Sequence, residues 1–165
     1  MTGRKAWLPP RWFIVAFWHV HRRIVRATHG RKGLWPPRSD KWGALELTTI
    51  GRRSGRPRSV IIGYYEDGPN LVSMAMNGWG AAEPAWWVNL QADPQAVVEL
   101  AGGKQREVLC RAAHGGERDR LWERWRELDE NLDDYASRRP RETAVVVLAP
   151  RERAAFPDVA TNHPG

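Results

Sequence analysis

The sequence predicts a mainly β fold with flanking helices, a six-stranded antiparallel barrel, closed or split, and three observations carry that prediction. Six short runs of β-forming residues recur between Leu45 and Leu148. Most successive runs are joined by brief Gly-, Pro- or Asn-bearing turns, and such short connections join antiparallel strands, because a parallel pair needs a long crossover. Within this region only two stretches have helical character, one between the third and fourth runs and one before the last. Barrel closure removes the exposed edges that an open antiparallel sheet would leave.

Taken in order, residues 1–42 read as a basic amphipathic N-terminal arm, 43–150 as one barrel domain and 151–165 as a disordered tail. Residues 1–41 carry ten Lys or Arg against one acid, Asp40, a charge of +9, so the other 124 residues total −2 of the whole-chain +7. The basicity therefore belongs to the arm and to one turn described below. Within the arm, RWFIVAFWHVHRRIVRAT (11–28) has an apolar run shorter than the ~20 residues that span a bilayer, followed by clustered arginines. That composition suits a helix lying in an anionic membrane interface, and equally one packed over an end of the domain. No small-residue cleavage site follows it, so it does not read as a cleavable signal. His19 and His21, two apart, face different sides of a helix and make a poor metal pair. The Gly/Pro-rich stretch GRKGLWPPRSDKW (30–42) then reads as a connector.

The first two β runs, Leu45 to Ile50 and Ser59 to Tyr65, enclose GRRSGRPR (51–58). Gly admits positive φ and Pro fixes φ, so this is a hairpin turn. It holds four arginines, Arg52, Arg53, Arg56 and Arg58. Like charges so concentrated repel unless an anion offsets them, and guanidinium forks beside Ser54 suit phosphate or carboxylate oxygens. A solvated, solubilising loop is the plainer alternative.

Glu66 to Asn70 forms a second turn into a third strand, Leu71 to Met76. Asn77-Gly78-Trp79-Gly80 opens a flexible loop, and Pro84 suits the first turn of a short helix ending near Leu90. A strand, a Gly-rich loop and a helix invite a dinucleotide-fold reading, but Glu83 stands where the third glycine should be and the flanking strands are antiparallel. Trp86, Trp87 and Asn89 on this helix suit a planar ring, with one of the two indoles in the core. Pro94 to Leu100 and Lys104 to Ala112 are the fourth and fifth strands around Gly102-Gly103. Leu121, Trp122, Trp125 and Leu128 mark an amphipathic helix from Glu117 to Leu128. Residues 131–139 are polar apart from Leu132 and Tyr135, and TAVVVL (143–148) is the sixth, buried strand.

A lone cysteine, Cys110, rules out an internal disulfide and fits a reducing cytoplasm. No phosphate-binding GxxxxGK[ST], no G-x-S-x-G elbow and no metal-ligand cluster is present. An enzyme without nucleophile, base or metal borrows reactivity from a redox cofactor. Nucleic-acid binding is disfavoured, since it needs a broad basic surface and the domain is slightly acidic.

The hairpin LELTTIGRRSGRPR, the segment PAWWVNLQADP and the terminal TAVVVLAP together resemble the deazaflavin (coenzyme F420)-dependent nitroreductase and quinone reductase family of actinobacteria, over about Leu45 to Pro150. The resemblance implies a flavin-reductase-like split barrel, hydride transfer from reduced F420 to a quinone or nitroaromatic, and a cytoplasmic protein peripheral on the inner membrane face. FMN is the less favoured cofactor. Carried over by position, it implies that Arg52, Arg53, Ser54 and Arg58 hold the phosphate and acidic tail, while Met76, Asn77, Gly78, Trp86 and Asn89 lie against the ring. Trp79, Trp87 and Tyr135 are expected at the electron acceptor, Tyr135 also as a candidate proton donor, with no catalytic residue assigned. Met76-Asn77 departs from the Ser-Lys of some members, and Asp129 and Leu132 replace tyrosines of the pocket lid. A non-catalytic barrel binding an amphipathic ligand or a membrane is the alternative from another class.

Overall fold

The computed structural model describes residues 33–151. The expectations for the segment 11–28 and for the C-terminal tail beyond Arg151 fall outside them. Six strands, β1 (Gly43–Ile50), β2 (Pro57–Asp67), β3 (Asn70–Met74), β4 (Gln95–Glu99), β5 (Gln105–Ala112) and β6 (Val145–Pro150), close into a barrel in the order β1-β2-β3-β6-β5-β4. Every pairing is antiparallel. Helix α1 (Ala85–Ala92) links β3 to β4, and α2 (Gly115–Leu128) with the short α3 (Leu132–Ser137) lies between β5 and β6.

Strand periodicity of two decides what each side chain meets. Leu45 and Leu47 of β1, Ile62 and Tyr64 of β2, and Val146 and Leu148 of β6 join one buried cluster with Val98, Val108 and Cys110. Trp86, Trp87 and Leu90 belong to the same cluster, so α1 packs on this core. The alternate residues Tyr65, Val72, Met74, Val145 and Val147 form a second cluster with Leu121 and Trp125 of α2 and Leu132 of α3. Strand β6 is therefore apolar on both faces, which is why VVVL runs without a polar break.

The observed elements differ from expectation in instructive ways. Strand β2 is longer than expected because Pro57 and Arg58 pair with Ile50 and Thr49, shrinking the free turn to residues 51–56. Strand β3 stops at Met74, since the chain there bends away into the glycine loop. Helix α3 was not foreseen. One buried residue, Leu132, and the Tyr135 ring hold its single apolar side, too little periodicity to read in six residues.

The connector ahead of β1 is part of this architecture. Trp35 exchanges backbone hydrogen bonds with Ala44, and the Trp35 indole nitrogen donates to the Trp42 carbonyl at 3.1 Å. Leu34 is buried with Ala44 and Ile61. A Cβ on Gly43 would lie 2.6 Å from the Pro37 nitrogen and 2.7 Å from the Trp35 carbonyl oxygen, so only glycine lets the two backbones approach this closely.

Candidate active site

A cleft of about 1140 Å³ opens where the β1–β2 turn, the loop after β3 and the start of α1 converge. One end is the arginine turn. Gly51 N–H donates to the Arg56 carbonyl at 2.9 Å, Gly55 N–H donates to the Gly51 carbonyl at 2.8 Å, and Gly55 has φ 65°. Ser54 Oγ accepts from Arg56 N–H at 3.3 Å, which leaves its own proton free to donate. The turn is thus braced by its own backbone, and Arg52, Arg53, Arg56 and Arg58 are all exposed. Among the described residues none of the four has a carboxylate partner. Elsewhere on this surface Arg111, Arg120 and Arg126 do pair with acids, so the unpaired state of the turn is local.

Asn89 ties that turn to α1. Its Oδ1 accepts from Arg52 N–H at 3.2 Å and its Nδ2 donates to Thr49 Oγ1 at 3.1 Å. Both amide functions of this buried side chain are engaged with protein, so Asn89 serves the site by fixing the turn against the helix. Thr49 escaped the sequence reading, although Leu45, Leu47 and Thr49 share one side of β1 by simple alternation.

The opposite wall is the loop after β3. Met76, Asn77, Gly78 and Trp79 line it, as does Trp86, while Trp87 does not. Both indoles are buried in the same core cluster, with ring centroids 6.3 Å apart, and of the two only Trp86 also borders the cleft. Consecutive helix positions point about 100° apart, so the edge of one buried indole borders the cleft and the other does not. Tyr135 does not line the cleft either. It backs it, with its ring 5.7 Å from that of Trp79. Trp79 has φ 60°, the one positive value outside glycine among the described residues.

Glu83, another lining residue, was missed. Its Oε1 lies 3.7 Å from Arg139 Nη2 and 3.8 Å from Arg141 Nη1. No local sequence signal joins residues so far apart in the chain. The described residues hold no cluster able to bind a metal and no helix long and apolar enough to cross a membrane.

A six-stranded barrel with a cationic, acid-free turn at one end of a cleft and aromatic rings at the other defines a split-barrel protein built to hold a flat, anionic-tailed molecule. Residues 18–150 match the model of the F420H(2)-dependent quinone reductase family, and the chain belongs to that family. It is 32% identical over 135 residues to the F420H(2)-dependent quinone reductase of Mycobacterium tuberculosis (strain ATCC 25618 / H37Rv), covering 80% of this chain and 89% of the relative. Among solved structures, an F420-H2 dependent reductase superposes with a TM-score of 0.57 at 25% identity, over 64% of this chain and 92% of that one. A protein described as a domain-swapped dimer superposes at 0.59 over 82% of this chain and 98% of that one, at 21% identity, a likeness of fold.

Proposed function

We propose that this protein binds the deazaflavin coenzyme F420 in the cleft and passes a hydride from its reduced form to a quinone. The observation that carries the reading is the cleft's polarity: Arg52, Arg53 and Arg58 without carboxylate partners at one end, indole and thioether side chains at the other. The donor set fits such a molecule. Guanidinium forks and the free Ser54 proton match phosphate and carboxylate oxygens, and a cavity of about 1140 Å³ has room for a tricyclic ring with an extended tail.

When bound, the reduced coenzyme supplies a hydride, which with one proton converts the quinone to its hydroquinone. The chain's part is positioning. Arg52, Arg53 and Arg58 grip the tail while Asn89 keeps the turn from swinging away. Met76, Asn77, Gly78 and Trp86 bear on the ring, and Trp79 backed by Tyr135 offers an aromatic face to the acceptor. Holding two reactants in a near-attack arrangement is itself worth roughly 7–11 kcal/mol of barrier. Solvent reaching the open cleft supplies the proton. A quinone is lipid-soluble, and the arginine- and tryptophan-bearing segment 11–28 would let a cytoplasmic protein rest on the inner membrane face.

Titrating the wild type and the Arg52→Ala/Arg53→Ala variant with F420, followed by ring fluorescence, tests the proposal. Micromolar binding by the wild type and a loss of tenfold or more in the variant are expected, roughly 1.4 kcal/mol from two lost charge-assisted contacts. Absence of wild-type binding would sink the reading. Sedimentation with anionic vesicles, compared with neutral ones, decides the membrane part separately.

A further inference from the structure

We infer that Arg139 is a positioning residue for quinone reduction, setting the cleft wall made by residues 75–83; the inference rests on the function proposed above. Arg139 follows α3, away from the cleft lining, and its side chain is 0% exposed. Its Nε donates to the Gly80 carbonyl at 3.1 Å, and its Nη1 donates to the Ala75 carbonyl at 2.9 Å and to Thr143 Oγ1 at 2.7 Å. One guanidinium thus holds both ends of the segment that carries Asn77, Gly78 and Trp79.

That segment needs holding. Gly80 N–H donates to the Asn77 carbonyl at 2.9 Å around Gly78 at φ 53° and Trp79 at φ 60°. Two successive positive φ values are those of a type I′ turn, which favours Gly or Asn at both central positions. A bulky indole at the second is strained, and strained backbone persists where surrounding contacts over-determine it. Two such contacts come from one short stretch of chain: the Tyr135 ring against Trp79, and Arg139 on the carbonyl just after it.

Stability alone is a poor reason for this arginine. Nη2 is buried without a hydrogen-bond partner, as is Glu83 Oε2, and the 3.7 Å approach of the two groups is loose. Burying a charge at such a place is costly, and a buried ion pair so loosely made is weak evidence of a contribution to stability. What an apolar side chain cannot do is fix the carbonyls of Ala75 and Gly80, and through them the direction in which the Trp79 ring faces the cleft.

The test uses Arg139→Met, which keeps volume and removes every donor, Arg139→Lys, which keeps one charged donor, and Thr143→Val, which removes one anchor of the guanidinium and leaves the barrel intact. Amide hydrogen exchange is read on the unliganded proteins. Exchange at residues 75–83 should rise about tenfold or more in Arg139→Met, less in the other two, with β1 and β2 amides unchanged. In turnover with F420 and a soluble naphthoquinone, KM for the quinone should rise about tenfold and kcat much less, with Arg139→Lys recovering part of the loss. Unchanged exchange in the loop, or an unchanged KM beside a lowered melting temperature, overturns the inference. Should Arg139→Met fail to fold, the same readouts on the other two variants decide. A wild type that reduces no quinone would refute the proposed function instead, and the exchange data would still rule on the loop.

Discussion

Replacing Asn89 by alanine removes the two contacts that lock the arginine turn to α1, and their cost follows from the structure. The bonds to Arg52 N–H and Thr49 Oγ1, at 3.2 and 3.1 Å, are neutral and each is worth about 1 kcal/mol net. Arg52 is exposed, so its freed N–H recovers water. Thr49 is 1% exposed and keeps only a stretched 3.5 Å contact to the Arg58 carbonyl, which raises its share. A loss of about 2 kcal/mol follows, or roughly 6 °C in melting temperature for a chain of this size. Part of it reappears on binding, because a loosened turn must be re-ordered around the anion. Taking half, about 1 kcal/mol, F420 should bind roughly fivefold more weakly. Asn89→Asp should lose less than half as much stability, since a carboxylate still accepts from Arg52 N–H and the Thr49 hydroxyl can turn its proton toward it. Thermal melts and fluorescence titrations measure both quantities. A lower melting temperature with unchanged F420 affinity would refute the argument that Asn89 acts through the turn.

Two further outcomes follow from charge and burial. Hydrogen bonding to Arg120, at 2.7 and 2.9 Å, holds the Asp67 carboxyl below its ordinary value of 3.8. A depressed folded value means that the pair's stabilisation is complete above that ordinary value and is lost as pH falls through the folded one. Urea midpoints should therefore fall below about pH 4, with a shallower fall in Asp67→Asn; parallel profiles would show that the pair contributes nothing. Burial pushes the Cys110 thiol up to about 12, so it should react with a thiol reagent at pH 8 only as fast as the barrel opens. Rapid modification with an unaltered circular dichroism spectrum would contradict its place in the interior.

The strands and the arginine turn were legible because their signals are local. Alternation marks Leu45 and Leu47 as inward, and Gly51 and Gly55 mark a turn whatever the rest of the chain does. The unbroken TAVVVL marks a buried strand, while its coverage on both faces comes from the two clusters that closure assembles around it. The site was legible only in part. Trp86 and Trp87 are chemically identical neighbours, and only the direction in which α1 leaves the barrel decides which indole reaches the cleft. Asn89 read as a donor to a ring because its actual partners, Thr49 and Arg52, come from another element. The Arg139–Glu83 approach and the Tyr135–Trp79 stack join residues brought together by barrel closure, and no spacing rule reaches that far.

The close fit of Gly43 under Trp35 and Pro37 has a consequence for the arginine turn at the far end of the same strand. It pins the chain to the barrel at the beginning of β1, while the arginine turn begins where β1 ends. Eight strand residues separate these points, a span of roughly 24 Å. Strand β1 is thus clamped by backbone at its first residue and carries the exposed cationic turn at its last, so the turn is presented from a fixed base rather than from a swinging hairpin.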